Sequence, residues 1–137
     1  MSDAKPDTSA LEKAIQRLRE GLLRYQSDVT DTQIRDGLIQ RFEFTYELGH
    51  RMLKRYLEFA SATPAQYDAM PFQDLIRSGN EQGLLRGDWS RWRQYRDMRS
   101  KTSHTYDEAV ALAVVAGIAD FLEEATYLRD RLRERLA

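Results

Sequence analysis

Two residues stand out because their types and spacing suggest chemistry. The run Arg99-Ser100-Lys101-Thr102-Ser103-His104 sets a permanent cation and a titratable imidazole at the end of one expected helix and in the turn after it. If the helix persists through Ser103, Arg99 and His104 lie within about one and a half turns and can reach one phosphate. An arginine can neutralise a phosphoryl transition state through its bidentate fork. A histidine can move a proton near neutral pH, for instance from a ribose 2′-hydroxyl. The competing reading is structural: Arg99 pairs with an acidic neighbour and His104 caps a helix end.

The surrounding segment is the basic part of the chain. From Arg86 to His104 it carries Arg86, Arg91, Arg93, Arg96, Arg99 and Lys101 against Asp88 and Asp97, a local charge of +4 in a chain whose net charge is −1. Trp89, Trp92, Arg96, Arg99 and Ser103 share one helical face. Arginines interleaved with aromatics hold single-stranded nucleic acid through stacking and phosphate contacts. Alternatively, Trp89 and Trp92 are packing residues and the arginines snorkel outward. Glu47 and His50 have Glu-x-x-His spacing, but a single copy without partner carboxylates does not make a bundle metal centre, so neither metal nor cofactor is expected. There is no phosphate-binding glycine loop, no H-E-x-x-H pair and no G-x-S-x-G elbow.

These residues need helices to position them. The 137 residues suit one domain, and a chain near this size buries roughly 68–70% of its unfolded surface. Zero cysteines exclude a disulfide scaffold, Cys-ligated zinc and a thiol nucleophile. No apolar run approaches the roughly 18–20 residues of a membrane span, and Met1–Pro6 lacks a signal peptide's apolar stretch, so a cytoplasmic protein without membrane contact is expected. Residues 1–8 read as a flexible arm and 9–137 as a single helical domain.

Ser9 and Glu12 have capping-box spacing, and Leu11, Ile15, Leu18, Leu22 and Tyr25 predict a helix ending near Ser27. A long second helix runs from Asp31 or Thr32 to Ala60, with Ile34, Leu38, Ile39, Phe42, Tyr46, Leu53 and Leu57 in one arc. Its opposite strip, Asp36, Gln40, Glu43, Glu47, His50 and Lys54, reads most simply as a solvated face. A short helix follows from Phe72. Asp88 caps a fourth from Trp89 to about Lys101, and Asp107 caps a final helix reaching Leu136. The expected architecture is an all-α antiparallel bundle of four or five helices.

Arg35-Asp36-Gly37-Leu38-Ile39-Gln40-Arg41-Phe42-Glu43-Phe44-Thr45-Tyr46-Glu47-Leu48 closely resembles the long-helix signature of the nucleotidyltransferase substrate-binding protein family, within the HEPN superfamily of small bundles. Arg99-x4-His104-Thr105-Tyr106-Asp107 is similar to its R-x4-H-x-Y motif, and the resemblance spans residues 10 to 135. It implies a homodimer with two motifs at a shared cleft, and a cognate minimal nucleotidyltransferase as partner. In toxin-like relatives of toxin–antitoxin pairs, that cleft is a metal-independent ribonuclease site. The partner silences it by adenylylating the motif tyrosine. Carried over, Arg99 stabilises the phosphate, His104 is the acid/base and Tyr106 is the modified hydroxyl, with Ser100, Thr102, Ser103, Gln40, Glu43 and Glu47 as supporting residues. RNA, or a nucleotide held by a non-catalytic substrate-binding subunit, is the implied ligand. The chain departs from the family's common pattern at Ser100 (commonly Asn), Met98 (often acidic) and Gly49-His50 (commonly a small residue and Trp). Trp89, Trp92 and Phe44 are the expected interface anchors.

Overall fold

The computed structural model describes residues 4–137; Met1–Asp3, the start of the expected arm, lie outside the described residues. Six helices follow one another: α1 (Ser9–Ser27), α2 (Thr32–Ala60), α3 (Phe72–Glu81), α4 (Trp89–Lys101), α5 (Glu108–Ala116) and α6 (Ile118–Leu136). Single turns of 3-10 helix lie at Pro64–Tyr67 and Thr102–His104, and no strand occurs among the described residues. The all-α bundle expected from the sequence is the fold observed.

Side-chain caps start three of the helices. The Asp31 carboxylate accepts from the amides of Gln33 and Ile34, that of Asp88 from Arg91, and that of Asp107 from Ala109 and Val110. Each satisfies amides that the first helical turn leaves without partners. The capping box at Ser9 does not form. Asp7 accepts from the Ser9 amide instead, and the Glu12 carboxylate is drawn across to Arg133 on α6. Ahead of α1, Lys5 donates to the Leu136 carbonyl and Pro6 is buried.

The expected final helix is broken at Gly117 into α5 and α6. A Cβ at Gly117 would sit 2.5 Å from the Met98 sulfur, so the end of the Met98 side chain of α4 packs into the space that this glycine leaves open.

The core joins Leu11, Ile15 and Leu18 of α1 to Leu38, Phe42, Leu53 and Leu57 of α2 and Phe121, Leu128 and Leu132 of α6. At one end it becomes aromatic. Trp92 meets Tyr95 edge-on at 5.3 Å, with Phe121 at 6.2 Å and Tyr46 and Phe72 each at 6.3 Å. Trp92 is 1% exposed, so it is a core residue and not an interface anchor; Trp89 and Phe44 are only partly buried. The Trp92 Nε1 is buried without a hydrogen-bond partner among the described residues.

Trp92→Ala should cost about 3–5 kcal/mol in urea unfolding, as large aromatic-to-alanine core changes do. Trp92→Phe should cost far less, because it keeps ring contacts and removes an unpaired N–H. Equal losses in the two variants would show that the packing is not what holds α4.

Candidate functional site

The site is built on α4, and both ends of that helix are held by carboxylates from other helices. At its start, the Glu124 carboxylate of α6 accepts from the backbone amides of Arg86 (2.8 Å) and Gly87 (2.7 Å). Glu124 is 0% exposed, and burial raises its carboxyl above the ordinary glutamate value despite those two donors. Beside it, Asp120 accepts from the Tyr95 hydroxyl at 2.5 Å and from Arg86 at 2.8 Å, with Arg91 3.4 Å away. Burial is the largest single influence on Asp120 and pushes its carboxyl up. The two hydrogen bonds and the nearby arginine charges together outweigh it and leave the group lower than usual. Burial, then the bond to Asp120, pushes the Tyr95 hydroxyl strongly up.

At the other end, Arg99 turns toward α2. Its Nε donates to Glu47 at 2.8 Å, and its Nη1 lies 3.2 Å from both Glu43 and the Thr102 hydroxyl. Thr102 in turn donates toward Glu43 at 3.0 Å. Among the described residues Nη2 has no hydrogen bond, and the side chain is one-third exposed. The α2 strip is therefore not simply a solvated face: α4 covers part of it, and Glu43 and Glu47 serve as acceptors for a cation. His50, on the same strip, meets Phe72 edge-on at 4.7 Å, and burial lowers its pKa against the opposing charge of Glu47. No cluster of three or more His, Asp or Glu among the described residues is placed to hold a metal ion.

Beyond Lys101 the helix tightens into the 3-10 turn Thr102–His104, so helical structure does persist through Ser103. His104 is exposed, Tyr106 is 87% exposed, and their rings stand edge-to-face with centroids 6.1 Å apart. The turn is bracketed. Thr102 is tied to Arg99 and Glu43, while Glu108 at the head of α5 accepts from Arg35 at 2.7 Å. Arg35 is a buried guanidinium on α2. Of the sequence-derived supporting residues, Glu43, Glu47 and Thr102 are joined to Arg99. Ser100 donates to the Asp97 carbonyl, and exposed Ser103 and Gln40 make no side-chain hydrogen bond among the described residues.

Arg35 and Glu124 were missed by sequence reasoning, though each carries a signal. Arg35 precedes Leu38, Ile39 and Phe42 by three, four and seven residues. Glu124 follows Phe121 by three and precedes Leu128 by four. A charge on an apolar helical stripe is buried and therefore needs partners.

The molecule is thus a small all-α bundle that presents a carboxylate-held arginine and an exposed His-x-Tyr turn at one helix end. Residues 6–134 match the family described as "nucleotidyltransferase substrate binding protein like", and the chain belongs to that family. It is 48% identical over 109 residues to the probable ribonuclease HepT of Haemophilus influenzae, an alignment covering 80% of this chain and 73% of that protein. A solved Haemophilus influenzae structure, described as revealing the fold of a substrate-binding domain of a nucleotidyltransferase, superposes with a TM-score of 0.86 at 38% identity, covering 93% of this chain and 99% of that one. A Thermus thermophilus protein superposes with a TM-score of 0.70 at 31% identity, covering 90% and 98%. No helix among the described residues is long and apolar enough to cross a membrane.

The two carboxylates of the α4–α6 contact should respond to pH with opposite signs. Glu124 binds its proton more tightly folded than unfolded, so its contribution is full below the ordinary glutamate value and is lost as pH rises through its raised one. Asp120 contributes above the ordinary aspartate value and loses that contribution as pH falls through its lowered one. The stability of wild type relative to Glu124→Gln should therefore decline in chemical denaturation as pH rises above the ordinary glutamate range. A relative stability that climbs there would refute a raised Glu124.

Proposed function

We propose that this chain is the HEPN-type component of a nucleotidyltransferase pair, and that as a homodimer it cleaves RNA without a metal through Arg99 and His104. The observation that carries this reading is the state of Arg99. Its Nε and Nη1 are held by Glu47, Glu43 and Thr102, which leaves Nη2 for a phosphate at the end of the helix that leads into exposed His104. In this reaction His104 takes the proton of a ribose 2′-hydroxyl. The 2′ oxygen then bonds to the adjacent phosphorus and the bond to the 5′ oxygen breaks. That oxygen leaves as a hydroxyl, with a proton from the imidazolium of the second motif in the dimer. Arg99 offsets the charge that builds on the non-bridging oxygens. The likeness to the probable ribonuclease HepT of Haemophilus influenzae, at 48% identity, supports this reading.

Tyr106 supplies the means of silencing. Its exposed hydroxyl attacks the α-phosphorus of ATP in the partner's site and gives up its proton to solvent, the bond from that phosphorus to the bridging oxygen breaks, pyrophosphate leaves, and an AMP ester remains. That anion stands beside His104, whose ring lies 6.1 Å from that of Tyr106.

A second reading, a non-catalytic subunit that presents nucleotide or substrate to the partner enzyme, is favoured by one specific observation. Arg99 already faces two carboxylates, which lower its pull on another anion. The description of the solved Haemophilus influenzae structure supports the same reading.

Purified protein with unmodified Tyr106 should cleave mixed tRNA in EDTA, and His104→Ala should lower the rate roughly 10²–10⁴-fold, the usual worth of a general acid–base. Absence of cleavage by folded, unmodified wild type would leave the substrate-binding subunit as the account. With the partner and ATP, a peptide containing Tyr106 should gain one or more AMP units, and Tyr106→Phe should gain none there. AMP found on another residue instead would remove Tyr106 from this role.

A further inference from the structure

We propose that the outward stripe of α4, Trp89, Arg93, Arg96 and Ser100, is the track along which single-stranded RNA lies as it enters the site. This rests on the ribonuclease reading above. It differs from the face that the sequence alone suggested, because the fold removes Trp92 and Arg99 from it: Trp92 is core, and Arg99 faces α2.

The helical wheel leaves little choice. At about 100° per residue, Trp92, Tyr95 and Arg99 turn toward the bundle and α2. Arg91, Gln94 and Met98 line the groove against α5 and α6. Toward solvent remain this stripe, in which Arg93, Arg96 and Ser100 are exposed and Trp89 is partly buried, and beside it the exposed Ser90, Asp97 and Lys101, the last two on the rim of the groove against α5.

Charge separates this stripe from the other arginines of the segment, while Lys101 at the helix end is exposed and likewise without an ion pair among the described residues. Arg86 and Arg91 are neutralised at Asp120, and Arg99 at Glu43 and Glu47. Arg93 and Arg96 make no ion pair and no side-chain hydrogen bond among the described residues. The nearest acids in the segment are Asp88, whose carboxylate is committed to capping α4, and Asp97, which flanks the stripe one helical position beyond Arg96. Two long cations left without partners on the most polar helix are a surface for an anion with several charges.

The form of the stripe favours RNA over an acidic protein. From Trp89 to Ser100 it runs about 16 Å at the helical rise per residue, and it points toward Arg99 and His104. Its far end is aromatic: Trp89 packs edge-on against Phe72 at 5.8 Å, and Phe72 against His50 at 4.7 Å. A stacking surface followed by unpaired cations is how sequence-tolerant single-strand sites are made.

The test measures binding of a fluorescent single-stranded RNA by anisotropy against salt, using full-length His104→Ala so that the RNA stays intact. Removing a phosphate contact on a single strand lowers the salt slope by about 0.7. Adding Arg93→Ala and Arg96→Ala together should therefore lower it by about 1.4. Arg93→Lys with Arg96→Lys should keep it, and Lys13→Ala on α1 should leave it unchanged. The Arg93 and Arg96 side chains are solvent-facing, and circular dichroism will report whether each variant keeps its fold.

If unmodified wild type cleaves RNA while His104→Ala binds it with a slope indifferent to Arg93 and Arg96, the track is wrong and the ribonuclease reading stands. If the double alanine variant loses a protein partner but keeps its RNA slope, the stripe is a protein interface and the proposal is overturned. If neither binding nor cleavage of RNA is seen in unmodified protein, both readings fall together.

Discussion

The positioning of α4 governs how the rest of this structure can work. Only Trp92 and Tyr95 are buried among its thirteen residues, and the helix is otherwise polar and strongly basic. An isolated helix of that length is marginal in water, so tertiary contacts must hold it. Two aromatic rings supply the apolar part by entering a cluster with Tyr46, Phe72 and Phe121. The remainder is polar: Glu124 holds the turn before the helix, Asp120 receives the Tyr95 hydroxyl, and Glu43 with Glu47 receives Arg99. The proposed catalytic end of α4 thus takes its position from α2 and α6 at once.

The arginines of this segment have different tasks, although they look alike in composition. Those facing α6 are consumed in structure, because Arg86 and Arg91 both answer Asp120 and Arg86 also reaches Glu123 at 3.4 Å. Arg99 is intermediate. Its guanidinium is oriented by carboxylates yet keeps one nitrogen for another acceptor, which suits a group that must be preorganised without being fully occupied. Arg93 and Arg96 have no such obligations. A net charge of −1 conceals this division, since the neutralising acids come from α2 and α6 and leave one face of α4 cationic.

The turn carrying His104 and Tyr106 is exposed but not loosely connected. Thr102 ties its start to Arg99 and Glu43, and Arg35 reaches Glu108 just after its end. A reactive turn between two fixed points can present side chains to solvent while keeping their spacing, and loops on rigid supports are where functional groups tend to be carried. The same exposure that would admit RNA to His104 admits a modifying enzyme to Tyr106, so catalysis and silencing in the proposed cycle share one surface.

Much of this was legible in the chain itself. The starts of α2, α4 and α5 followed from Asp31, Asp88 and Asp107, because helix caps and apolar periodicity are local properties. The spacing of Arg99, His104 and Tyr106 was equally local. The break at Gly117 was not, and neither was the Met98 side chain of α4 that packs against it. Nor was the diversion of Glu12 from its capping box, which required Arg133 from the far end of the chain. Residue order alone sufficed for an all-α chain with a basic helix ending in Arg99 and His104, since helical period and charge are written residue by residue. Packing was needed to assign Trp92 to the core, to bury Arg35 and Glu124 with partners, and to leave particular arginines unpaired. Those outcomes depend on which distant helix comes to lie against each face, and on the desolvation that follows when it does.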